Sequence, residues 1–258
     1  MNKTLKYISS GILGAAIVTV FILSYMAGGK VRSSRMCTQL EIKVLDSLEN
    51  SFVSVRDVKE FIDRSYGTYI GQPADSIDLV RIETIVNSRS AVLKSVAYMT
   101  ADGALHIDVT QRKPVVRFQK KDGGFYADAE GYIFPLQSRF ASHVQIIDGN
   151  IPLAANSGYK GEIAAPAEKE WFRQVMSMVN YMEGGQWKNK IVQIHVAGNG
   201  DLILIPREGD EKFIFGKPTS VEEKFSRIKR YYTAIVPEKG SKTYKEVDVR
   251  FKDRIICR

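Results

Sequence analysis

A run of about twenty uncharged, mostly apolar residues, 8–28, begins seven residues into the chain. At about 1.5 Å per residue, a helix of that length spans the roughly 30 Å hydrocarbon core of a bilayer. Only Lys3 and Lys6 precede it, while Lys30, Arg32 and Arg35 follow, ahead of more than two hundred residues of mixed composition. The chain therefore reads as a single-pass protein with its folded mass on one side. The counts of two and three cations do not set the orientation, but large domains translocate largely regardless of charge. A short tail with two lysines looks like the leading part of an export signal, so the amino terminus is placed in the cytosol. The apolar run exceeds the roughly 7–15 residues of a cleavable signal core, and Ala27 and Gly29 make a poor cleavage site. The expectation is a retained anchor at residues 8–28, between a tail at 1–7 and a linker at 29–37.

Charge narrows the function classes. Five of the 37 basic residues and none of the 29 acidic ones lie before Met36, so the exported part carries a net charge of +3. Within it, residues 217–258 hold twelve basic and six acidic residues, and the stretch before them is net negative. A basic terminal surface with interspersed acids fits an acidic protein partner or anionic headgroups at least as well as nucleic acid. The two cysteines, Cys37 and Cys257, bracket the exported part; they can pair in an oxidising compartment, but sequence separation does not decide it.

Periodicity then gives two texture zones. Leu40, Ile42 and Val44 alternate with polar residues as a half-buried strand. Ser54 and Asp57 have capping-box spacing before Val55, Val58, Phe61 and Ile62, and a second amphipathic helix runs through Ile77, Ile82 and Val86 with Asp75 or Ser76 as its cap. Two strands joined at Asp102-Gly103 complete a strand-helix-helix-strand-strand order, expected as an antiparallel three-stranded sheet under two helices. From residue 119 the pattern changes to short strands with two helices, one at 168–183 and one through Val221, Phe225, Ile228 and Ile235. The fold class is α+β: one transmembrane helix, a β-α-α-β-β domain at 38–118, and a mostly antiparallel β domain at 119–258 that ends on a strand from Tyr244 to Ile256, bent at Lys252-Asp253.

Residues that could carry chemistry are sparse. His106, His143 and His195 each lack a second ligand at metal spacing. Ser226-Arg-Ile-Lys229 matches the S-x-x-K of penicillin-binding enzymes but sits mid-helix without its companion motifs. Asp128 and Glu130 stand beside Gly131 and read as turn residues, and the glycine pairs open no helix as a phosphate cradle must. The reading is a non-enzyme with no cofactor, no metal and no small-molecule substrate. The informative feature is the terminal strand: a chain stopping on a strand tends to leave it at a sheet edge, where unpaired backbone groups can accept a partner strand, the other reading being a central or covered strand.

Three stretches carry a family resemblance. Leu40-Glu-Ile-Lys-Val44 and the two helices lead to Val109-Thr-Gln-Arg-Lys-Pro-Val115, with Gln111 where Glu is usual. Tyr126-Ala-Asp-Ala-Glu-Gly-Tyr-Ile-Phe134 forms a hydrophobic-D-x-x-G hairpin. Tyr244-Lys-Glu-Val-Asp-Val-Arg-Phe251 is similar to a Y-x-x-V-D-L-R-Y ending and is the most specific of the three. In order and length the whole chain resembles the bacterial cell-division family FtsQ/DivIB, with a POTRA domain and a terminal β domain. The resemblance implies a non-catalytic scaffold at the division septum in the inner membrane, its bulk periplasmic. It implies membrane-anchored coiled-coil partners of the FtsB/FtsL kind, bound by strand addition at Tyr244, Val247, Val249, Arg250, Phe251, Ile255 and Ile256. Lys224, Arg227 and Arg230 on the preceding helix would meet an acidic partner segment. POTRA features also occur in outer-membrane assembly proteins, so the alternative is an export or assembly factor that binds β-strand clients.

Overall fold

A computed structural model describes residues 15–25, 35–47 and 51–258. Residues 15–25 are helical with exposed side chains. The rest of the expected anchor lies outside the described residues, among which no helix is long and apolar enough to cross a membrane. The remainder divides into two compact units, with the division at Gln111/Arg112 rather than at 118.

The first unit runs β1 (Gln39–Val44), α1 (Val55–Ser65), a 3-10 turn (Ala74–Ser76), α2 (Leu79–Asn87), β2 (Val92–Met99) and β3 (Ala104–Gln111). Ser54 caps α1 reciprocally: its hydroxyl accepts from Asp57 N at 3.1 Å, and the Asp57 carboxylate accepts from Ser54 N. The cap of α2 is Asp78, which accepts from Arg81 N at 2.9 Å; Asp75 and Ser76 lie in the 3-10 turn instead. The three strands order β1-β3-β2. The expected all-antiparallel sheet is corrected here, because β1 runs parallel to β3 while β2 and β3 form the antiparallel hairpin. The two helices lead from β1 into β2, which runs opposite to β1, and the hairpin then turns β3 back into the direction of β1. Val58, Ile62, Ile82 and Val86 of the helices and Leu105, Ile107 and Val109 of β3 are all buried.

The second unit is a nine-stranded sheet ordered β12-β11-β10-β9-β8-β7-β4-β5-β6. Its strands are β4 (Pro114–Lys120), β5 (Gly123–Asp128), β6 (Ile133–Pro135), β7 (Gln145–Gly149), β8 (Ile191–Val196), β9 (Leu202–Pro206), β10 (Lys212–Gly216), β11 (Glu246–Asp248) and β12 (Ile256–Cys257). β4 pairs with β5 and β7, which is why 114–118 belongs to this unit and not the first. The sheet is mixed: β4–β7, β7–β8 and β10–β11 are parallel pairs, and the others are antiparallel. Each of the last two parallel pairs is joined by a helical crossover. α3 (Pro166–Glu183) links β7 to β8, and α4 (Val221–Arg230) links β10 to β11. Both helices bury on one face, where Phe172, Val175 and Val179 join Phe225 and Ile228 over Ile194, Leu204, Phe213 and Val247.

α4 does not end at Arg230. It widens into a π turn (Tyr231–Ile235) and continues as α5 (Val236–Lys239). Pro237 explains the widening: it has no N–H to give and its ring crowds the carbonyl four residues back. The N–H of Val236 accordingly bonds Tyr231 O, five residues back. Gly240, at φ 88°, ends the helix.

A terminal sheet edge and its arginine clamp

The last fifteen residues form a hairpin, not one bent strand. β11 lies between β10, to which it is parallel, and β12, to which it is antiparallel in the register Val247↔Cys257 and Asp248↔Ile256. Glu246 and Arg258 exchange backbone hydrogen bonds of 3.1 and 2.9 Å. In an antiparallel ladder such narrow pairs alternate with residues whose backbone groups point outward. The N–H and C=O of Cys257 therefore face away from β11, and among the described residues no strand pairs with them. The opposite edge of the sheet differs. Ile133 of β6 is bridged to Gly161 by two 2.9 Å bonds, and Pro135 has no N–H to offer.

The segment joining β11 to β12 is held by two arginines. Arg227 of α4 donates from Nε to Val249 O (2.9 Å) and from Nη1 to Lys252 O (3.1 Å), tying helix to loop. Arg250 forks onto Asp248, with Nη2–Oδ2 at 2.7 Å, and its Nη1 reaches Asp201 at 3.0 Å in the β8–β9 turn. Asp201 also lies 3.4 Å from Lys217 Nζ. The stem of Arg250 passes over Gly216, where any added Cβ would meet its Cγ and Cδ at 2.9 Å; at φ 74°, only glycine takes this backbone without strain. Phe251 is 38% exposed, with the Arg254 guanidinium 4.9 Å and that of Arg250 5.8 Å from its ring centre. The result is an aromatic knob between two cations beside an open strand edge.

The electrostatics follow from these contacts. Burial pushes the Asp248 carboxyl up, but hydrogen bonds from the Arg250 guanidinium and backbone outweigh it and hold the group below the ordinary carboxylate range. The same bond raises Arg250. Burial lowers Lys224 and raises the Cys257 thiol, which stays protonated at neutral pH. Cys37 and Cys257 are both unpaired.

The residues singled out from the sequence separate into two groups. Arg250, Phe251, Ile255, Ile256 and Arg227 gather at the hairpin, with Arg230 exposed on α4. Val247 and Val249 are fully buried among the core residues, facing the helices rather than a partner. Tyr244 is half-buried against that core. Lys224 is 6% exposed and donates to Lys217 O at 2.7 Å over the Phe215 ring, so it braces the start of α4. Sequence reading missed Asp201, Lys217 and Gly216, which come from a turn and a strand end far along the chain; only the register of the sheet brings them to Arg250.

Elsewhere, potential chemistry is absorbed by structure. Asp128 accepts from Arg112 (2.7 Å) and from Tyr132 N (2.8 Å), closing its turn. His195 bonds Asp148 at 2.8 Å, and His106 stacks on Tyr98. Among the described residues no three His, Cys, Asp or Glu side chains are grouped to hold a metal.

Compared with known proteins, residues 113–258 match the family model described as FtsQ/DivIB, C-terminal related, and residues 35–110 match the one described as POTRA-like domain. No curated protein matches the chain.

Proposed function

The chain belongs to the FtsQ/DivIB family, and from that membership we propose that it is a membrane-anchored, non-enzymatic scaffold of the bacterial division site that captures a partner strand on β12. The observation that carries this reading is the open β12 edge, whose outward Cys257 backbone groups lie beside the Arg250–Phe251–Arg254 loop. Strand addition supplies affinity through main-chain bonds, and neighbouring side chains supply specificity. Here the side-chain contribution is an exposed aromatic flanked by cations, which suits an acidic segment carrying an apolar residue. Membrane coiled-coil proteins of the FtsB/FtsL kind are the proposed partners. Residues 8–28 are the proposed anchor in the inner membrane, with the amino terminus cytosolic and both folded units on the outer side.

The test uses the full chain, tagged in its host. Cys257→Pro removes the outward donor without touching the bonds Arg258 makes to Glu246, and Phe251→Ala removes the knob. Both variants should keep the fold and lose one dominant membrane-protein pair that co-purifies with the parent. Retention of that pair by both variants would contradict the reading. A diffuse set of outer-membrane β-barrel clients would favour an assembly factor instead.

A further inference from the structure

At the other end of the β8–β9 hairpin from Asp201 and Arg250, a cleft of about 390 Å³ opens between the turn after α3, the end of β9 and the π turn. Its floor is apolar and aromatic, made by Trp187, Ile191, Pro206 and Tyr232. Three exposed cations stand around it: Lys190, Arg207 and Lys229. None has an acidic partner among the described residues. Lys190 Nζ lies 5.8 Å from the Trp187 ring centre.

The cleft is built rather than incidental. Asn189 sits at φ 60°, in the left-handed region that Asn tolerates better than most residues. There its carbonyl accepts from Arg207 Nε at 2.7 Å. A second bond, Arg207 N to Lys190 O at 2.7 Å, ties the two sides together. The Nε bond holds the guanidinium in place and leaves its terminal nitrogens without a hydrogen bond among the described residues. The π turn contributes as well, because it lies where Tyr232 and Thr233 reach the cleft. Insertions of this kind recur at functional sites.

From this geometry we propose that the cleft is a second docking site, for an acidic peptide segment of a partner protein that carries one bulky apolar side chain. The volume is at the small end of ligand pockets and holds such a side chain on the aromatic floor. Carboxylates on either side of it would meet the three unpaired cations, while Gln186 and Asn189 at the rim offer amide groups to the peptide backbone. The apolar floor gives a compact dianion such as phosphate nothing to bury. A membrane surface fits poorly, since it cannot enter a concave floor.

The test is tryptophan emission from the full-length chain. The sequence has two tryptophans, so Trp171→Phe leaves Trp187 as the only reporter. Titration with a short acidic peptide bearing one central leucine should give a saturable change in emission. Lys229→Glu should weaken it about tenfold, as should Arg207→Glu, while Arg254→Glu at the terminal loop leaves it unchanged. Lys229 has no hydrogen bond or ion pair to lose among the described residues, so its reversal spares the fold. Absence of a saturable change would overturn the proposal. So would an equal response to the same peptide with alanine in place of leucine, to inorganic phosphate, or to phosphatidylglycerol vesicles.

Discussion

Asp248 and Gln111 show how single polar groups set local order in this chain. Asp248 is 7% exposed and is satisfied by the Arg250 fork, whose guanidinium is partly in water. Its carboxyl is held below its unfolded value, so the stabilisation is present at neutral pH and fades as the pH falls through the lowered range. Asp248→Asn should cost about 1 kcal/mol after solvent screening and flatten the acid limb of a thermal-stability-versus-pH curve. Gly216→Ala should displace Arg250, weakening partner capture more than it lowers the melting temperature. In the first unit, Gln111 is fully buried, accepts from Val53 N at 2.7 Å and donates to Asp46 at 3.2 Å. A glutamate at this position would face Asp46 as a like charge. Gln111→Glu should therefore destabilise the unit by about 1–3 kcal/mol, read by denaturant melting, with partial recovery in acid.

At the scale of elements, capping and periodicity were legible, while strand partners were not. The Ser54–Asp57 box and the Asp102-Gly103 hairpin stand where local chemistry puts them, because both depend on neighbours within a few residues. The parallel pairing of β1 with β3 and the insertion of β11 between β10 and β12 depend on contacts far along the chain, and alternation alone cannot report them. Alternation also misled at the terminus. Val247 and Val249 carry apolar side chains into the core under α4, and the open edge lies one strand over, at Cys257 of β12. Val249→Asp should thus unfold the second unit, at a cost of about 3–5 kcal/mol for an unpaired buried charge, instead of acting as an interface variant. Loss of cooperative melting in circular dichroism would distinguish the two effects. Arg227 was legible as a basic helix residue; its role as the staple to Val249 and Lys252 was not.

For the whole molecule, the two family matches divide the chain where the sheets do, at residues 110–113, and the candidate site is confined to the second unit. The basic excess at 217–258 was visible in the sequence; the structure distributes it between bracing (Lys224), stapling (Arg227) and display around Phe251 (Arg250, Arg254). Charge reversal at Arg254, which stands over the exposed Phe251 ring, should slow capture and make it less sensitive to salt, whereas reversal at Lys224 should lower stability. The central claim is that a partner adds a strand to β12, and amide hydrogen exchange of the full chain measures it directly. Without partner, the Cys257 amide should exchange fast while that of Arg258, bonded to Glu246, is protected. With the co-purified membrane pair bound, the Cys257 amide should become protected as well. A pair that binds while the Cys257 amide still exchanges freely would contradict the account.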